Sequence, residues 1–134
     1  MDKKAIRSRH LPNMGFPWAL HVTEIKEWIF ISGIPPMDRS GKIVGKGDVL
    51  AQFEYEVEMM EGILSDAGMA LSDIVYLTLT VTEKVDLYSS WDSLLEMYLS
   101  YFPNLPGPAA GCLRVVNSLS HPDMLVEVEA IAGK

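Results

Sequence analysis

The side chains able to carry chemistry gather in the C-terminal part of this chain. Cys112 and Arg114 lie in the run Ala-Ala-Gly-Cys-Leu-Arg-Val-Val, and Glu127 and Glu129 in Met-Leu-Val-Glu-Val-Glu-Ala-Ile-Ala. Both runs read as strands, and alternate residues of a strand share a face. Ala110, Cys112 and Arg114 therefore point one way. Glu127 and Glu129 share a face with Leu125 and Ile131, opposite Val126, Val128 and Ala130. A carboxyl on a partly desolvated sheet face has a raised pKa, which suits Glu127 to general-base work, whereas a nearby Arg114 would pull that pKa down again. Cys112 needs a neighbouring base to act as a nucleophile, and no histidine is near it in the chain, so an inert small residue is the preferred reading. Arg114 has two readings: a clamp for a substrate carboxylate, or a cross-strand partner of Glu127 or Glu129, worth about 0.2–1 kcal/mol.

Other chemistries find less support. The three histidines, His10, His21 and His121, are scattered and there is one cysteine, so neither a disulfide nor a zinc site is expected. Gly41-Lys42 and Gly45-Lys46 sit in a loop, but Gly47-Asp48 breaks the phosphate-loop spacing. No metal and no cofactor is expected. A net charge of −7 argues against a phosphate-neutralising surface and hence against nucleic acid as a partner. The basic start, with Lys3, Lys4, Arg7 and Arg9, is not followed by an apolar run, and no stretch reaches the length of a membrane span; no membrane partner is expected, and the cytoplasm is the default.

The elements that must position these residues follow from the rest of the chain. With 134 residues, one domain is expected, residues 1–14 forming an arm and 15–134 the folded unit. Residues 19–22 and 27–32 read as a hairpin, with both faces of the second strand apolar. Asp48 is placed to cap a helix running to Ala67 and stopped by Gly68. Phe53, Val57, Met60 and Leu64 give that helix one apolar stripe, which leaves Glu54, Glu56, Glu58 and Glu61 for solvent. Residues 72–82 alternate as a strand. A second helix over 86–101 carries Leu87, Trp91, Leu94, Leu95, Tyr98 and Phe102 on one side, and Pro103 and Pro106 forbid its continuation. The last two strands are expected to pair antiparallel across residues 117–123.

The resulting order, ββαβαββ, predicts an α+β fold: a mainly antiparallel sheet with two helices on one face. One helical layer leaves the side with Trp28, Phe30, Thr78, Thr80, Val116 and Ile131 uncovered. So large an apolar patch predicts that other copies of the chain cover it.

Several short pieces also carry a resemblance. Pro108-Ala109 and Cys112, followed by Val126-Glu127-Val128-Glu129-Ala130-Ile131-Ala132, stand in order with Ile31-Ser32-Gly33-Ile34-Pro35, Ala67-Gly68 and Asp73-Ile74-Val75. Over roughly residues 15–134 this resembles the reactive-intermediate deaminase A (RidA, YjgF-like) family. The resemblance implies a homotrimer whose sheets face an inner barrel, with clefts for small molecules between subunits, and hydrolysis of an imine to a ketone and ammonia. It assigns Glu127 to orienting the water, and places the family's thiol on Cys112 and its strand-end serine on Ser32. The aromatic after Gly-Pro falls on Trp18 with one residue inserted, and the polar residue of the second helix on Asp92, where Asn is common. Trp18 is a ligand wall or interface packing, and Asp92 a ligand contact or a solvated helix residue.

The substrate-clamping Arg of the family falls on Ala110. Losing a bidentate contact to a carboxylate removes about 1.5–3 kcal/mol, so ordinary 2-imino-acid deamination is expected to be weak or absent. The expected function is hydrolysis of an imine or enamine of a non-standard substrate, with non-catalytic binding of a small molecule on the same scaffold as the alternative. RNA cleavage, also attached to the family, fits the acidic charge poorly.

Overall fold

The computed structural model describes residues 1–102 and 109–134. The chain runs β1 (Asp2–Ile6), β2 (Ala19–Thr23), β3 (Trp28–Ile34), α1 (Val49–Asp66), a 3-10 turn at Leu71–Asp73, β4 (Ile74–Thr82), α2 (Leu87–Ser100), β5 (Ala110–Val116) and β6 (Val126–Gly133). This is the expected α+β architecture with one strand more, because the stretch read as an arm contains β1. Pro103, Pro106 and Pro108 lie outside the described residues.

Helix α1 starts where Asp48 accepts a hydrogen bond from the Ala51 N–H, and ends at Ala67 before Gly68, which adopts φ +71°. Its stripe of Phe53, Val57, Met60 and Leu64 is fully or almost fully buried against Val126, Val128, Ala130 and Ala132 of β6 and the inward residues Leu77 and Val81 of β4. Asp86 caps α2 through the Tyr88 and Ser89 N–H groups. Of the α2 stripe only Leu94 and the following Phe102 are buried, and the rest is half-covered.

The strand pairing corrects two expectations. The main sheet has the order β3-β6-β4-β5. Strands β5 and β6 are therefore not a hairpin: β5 lies parallel to β4, joined through α2, and β6 returns between β3 and β4, antiparallel to both. A helix between β4 and β5 supplies the long crossover that parallel pairing needs. The connection over residues 117–125 is then long enough to pass across β4. Buried Gln52 of α1 holds this connection, donating to the Asp123 carbonyl at 2.9 Å and accepting from the Leu125 N–H at 2.8 Å.

Strand β2, likewise, pairs with β1 and not with β3. The chain leaves β2 through Glu24 at φ +57°, and the Lys26 and Glu27 N–H groups donate to the Lys134 carbonyl instead of continuing a hairpin. Strand β1 is fastened to the rest by Lys3, whose ammonium donates to the Ser72 and Ile74 carbonyls. Burial lowers its pKa, partly offset by Asp73.

One sheet face packs on the helices and the other is open. Across the open face run three rows: Phe30, Ile131, Tyr76 and Ala110; then Glu129, Thr78 and Cys112; then Glu127, Thr80 and Arg114. Trp28 and Phe30 stack at 6.5 Å on this face, with Phe30 73 % exposed. Only Thr78 and Thr82 on this side of β4 are buried.

Candidate functional site

Glu127 sits where β3 departs from regular pairing. Ile31 faces Ala130 and Ile34 faces Val128, so Ser32 and Gly33 together oppose one residue, Glu129, in a β-bulge. The Glu127 carboxyl folds over that bulge. A Cβ at position 33 would overlap its Oε1 atom, so glycine makes the room that the carboxyl occupies. Burial there, with the like charge of Glu129 beside it, raises the Glu127 pKa. Glu127 thus lies, as alternation placed it, on the face opposite Val126 and Val128, where it is half-covered.

Beneath it lies a group that the periodicity misplaced. Glu56, expected on a solvated acidic face of α1, has no exposed surface and neither carboxyl oxygen has a hydrogen-bond partner among the described residues. Its position explains why: it is three residues after Phe53 and four before Met60, inside the apolar stripe. Burial pushes its pKa up to about 10; Glu127 adds to the rise, and the nearby Val128 N–H offsets part of it without completing a hydrogen bond. Near neutral pH Glu56 is therefore a carboxylic acid, and Glu127 titrates against a neutral neighbour.

Cys112 and Arg114 occupy the predicted face, on the edge strand β5. Arg114 does not pair with either glutamate. Strand β4 stands between β5 and β6, Thr80 separates Arg114 from Glu127, and the two backbones are about 9–10 Å apart. Among the described residues the one ion pair joins Lys46 to Asp123 at 3.5 Å. Arg114 and Cys112 are both exposed, and the Cys112 thiol donates to the Leu113 carbonyl at 3.6 Å. Ala110 opens β5 opposite Tyr76. Gly111 permits the close approach of these strands, since a Cβ there would overlap the Leu77 carbonyl.

Trp18 and Asp92 are not brought to Glu127 within one chain. Asp92 is exposed on α2, which packs on the other side of the sheet. There, α2 stands off far enough to leave an apolar recess of about 110 Å³, lined by Phe16, Leu79, Trp91, Leu94, Leu113 and Cys112 among others. Cys112, on the edge strand, borders this recess as well as belonging to the open-face row. The Tyr98 hydroxyl donates to the Ala109 carbonyl at 2.8 Å and so ties α2 to the start of β5; burial raises its pKa. Phe16 is a lining residue that the sequence reading missed. Trp18 meets Phe16 edge to face at 5.4 Å and stands outside the recess.

Comparison with known proteins agrees with this architecture. Residues 12–134 match the family described as Endoribonuclease L-PSP. The chain is 31 % identical over 132 residues to the 3-aminoacrylate deaminase RutC of Acinetobacter baylyi, covering 98 % of each. It is 32 % identical to a RutC family protein of Pyrococcus abyssi, over 100 % of this chain and 99 % of that one. In fold it is similar to the Rid-family protein YyfB of Yersinia pestis (TM-score 0.88, 24 % identity, all of both chains) and to the YjgF gene product of E. coli (TM-score 0.67, 23 % identity, 95 % and 99 % covered). The chain belongs to the RidA/YjgF family. The family is described as an endoribonuclease and one relative as a deaminase, so the activity has to be argued from the site. Among the described residues of this RidA/YjgF chain no three His, Cys, Asp or Glu side chains group around a possible metal position, and no helix is long and apolar enough to cross a membrane.

Proposed function

We propose that the protein is a deaminase-type hydrolase that opens a C–N bond of a small imine or enamine, with Glu127 as the base. The observation that carries this reading is the Glu127 carboxyl seated over the Gly33 bulge with a raised pKa. The relative that is a 3-aminoacrylate deaminase supports the substrate class, an enamine able to tautomerise to an imine.

In this mechanism the substrate enters as the protonated imine, and its carbon is attacked by water while Glu127 takes the water proton. The carbinolamine that forms carries hydroxyl and amine on one carbon. The proton passes from Glu127 to the amine, the C–N bond breaks with its electron pair leaving on nitrogen, and the hydroxyl proton is released as the carbonyl forms. One water is consumed and one ammonia produced. A positioned general base contributes on the order of a hundredfold or more to such proton transfers. In the proposed assembly three copies bury the open face around Trp28 and Phe30, and the clefts lie along the seams. Ser32, Cys112 and Arg114 border the ligand there; Trp18 and Asp92 reach it from the adjoining copy or only pack the seam.

The test is ammonia release from enzymatically generated 2-imino acids and from enamine acids, comparing the native protein with Glu127→Gln and Arg114→Ala. Turnover lost in Glu127→Gln is the expected result. Ala110, where the family places its clamp, favours a second reading, binding without turnover. Ligand-dependent thermal shifts with no ammonia across the whole panel would establish that reading in place of the enzyme.

A further inference from the structure

One buried acid takes no part in the chemistry at Glu127. Glu56 lies on the inward side of α1, one helical turn after Gln52, and both side chains are fully buried. The two meet the chain of β6 in order. Gln52 spends its groups on the connection that leads into the strand: the amide donates to the Gly45 and Asp123 carbonyls, and the oxygen accepts from the Leu125 N–H. Glu56 comes near the Val128 N–H, three residues further along. Neither of its oxygens, however, has a hydrogen-bond partner among the described residues.

The neighbours decide which form of the side chain fits. A carboxylic acid has one O–H to give and a carbonyl oxygen with which to accept. The Val128 N–H is a donor for that oxygen. Glu127, next to Val128 in the strand, is the one charged group among the described residues that acts on Glu56, and its carboxylate is an acceptor for the O–H. Glu129 acts on Glu127 in turn, and no cation among the described residues acts on either. The two carboxyls approach the same irregularity from opposite sides of the sheet. Val128 pairs with Ile34 at the bulge, and glycine at 33 keeps a side chain out of the space that the Glu127 carboxyl fills. A buried polar group without a partner is costly, and a bond to a charged acceptor is the strongest that a neutral acid can make.

We propose that Glu56 is a positioning residue for the base: it stays a neutral acid, accepts from the Val128 N–H, and turns its O–H to the Glu127 carboxylate across the Gly33 bulge. This rests on the reading of Glu127 as the base. The bond favours the charged form of Glu127 and holds its carboxyl in one orientation, leaving the other oxygen to take the water proton from the open face. Glu56 itself exchanges no proton with the substrate.

The experiment is an NMR pH titration of the whole chain with carbon-13 in its glutamate carboxyls. It reads Glu127 without turnover, so an absence of ammonia release would reject the enzyme reading and leave this one to be judged by itself. The two signals are assigned with Glu56→Gln and Glu127→Gln. In the native protein Glu56 should keep its acid form through the neutral range while Glu127 titrates. Glu56→Leu suits the apolar surroundings but has no donor, and should raise the Glu127 midpoint by about one pH unit. Glu56→Gln has an amide to donate to Glu127 and an oxygen to accept from Val128, and should hold the midpoint nearer its native value. A midpoint that Glu56→Leu leaves in place or lowers overturns the proposal. An equal rise in Glu56→Gln also overturns it, because the effect then belongs to packing. A Glu56 signal that ionises below neutral pH overturns it in the native protein, without recourse to a variant.

Discussion

Replacing Glu56 with glutamine tests the buried acid beneath Glu127. An ordinary glutamate titrates at 4.5, and in the folded chain Glu56 is raised to about 10. Below pH 4.5 the carboxyl is neutral in both folded and unfolded chains, and ionisation costs nothing. Above it the unfolded chain ionises while the folded chain stays protonated. Stability therefore falls by about 1.4 kcal/mol per pH unit, until pH passes the folded value. At pH 7 this loss amounts to about 3 kcal/mol, a sizeable share of the roughly 5–15 kcal/mol that holds a domain folded. Glutamine has the same shape and no ionisation, so it carries no such slope. The stability of Glu56→Gln relative to the native protein should rise by about 3 kcal/mol between pH 4.5 and 7, whatever the offset between them at the acid end. Urea unfolding at several pH values, at one ionic strength and one protomer concentration, measures this directly. Parallel pH profiles for the two proteins would refute the reasoning, since they would mean that Glu56 ionises within the fold.

Three further outcomes are expected. Gly33→Ala is permitted by the backbone, which has no positive φ there, but its methyl displaces the Glu127 carboxyl; ammonia release should drop by about a hundredfold with little change in the unfolding midpoint. Glu129→Gln removes the like charge that helps raise Glu127, so the basic form of Glu127 persists to lower pH and the acid limb of the pH–rate profile should move down; a limb that stays put would assign it to another group. If the proposed trimer forms, Phe30→Glu, which places a charge in the middle of the open face, should shift sedimentation from that trimer toward the 14.9 kDa protomer, whereas an unaltered assembly would put the interface elsewhere.

Alternation and helical spacing report which way a side chain faces, and where the question was of that kind the sequence was readable. Phe53, Val57, Met60 and Leu64, with Asp48 before them, placed α1; the parity of Val126, Val128 and Ala130 put Glu127 on the opposite face, where it stands. Parity does not say which strand is the neighbour. Nothing in β5 or β6 marks that β4 lies between them, and the supposed Arg114–glutamate pair went with that assumption. Strand β1 was hidden because its inward residues are Lys3 and Ala5, and a lysine that buries its stem and bonds carbonyls looks in sequence like a solvated one. Glu56 was hidden by its charge, although its spacing from Phe53 and Met60 already marked it as inward. Phe16 lines its recess only because α2 stands away from the sheet, a matter of packing that local spacing does not encode.

The position of β6 has a consequence for how the molecule is made. This strand, residues 126–133, is the seam between β3 and β4, yet it is the last element in chain order. Until it emerges from the ribosome, β3 has no partner in the main sheet, α1 lacks the β6 part of the surface it packs on, and the bulge at Gly33 has nothing to oppose. The β1–β2 and β4–β5 pairs can form without it, but β3 joins the main sheet only through this final strand.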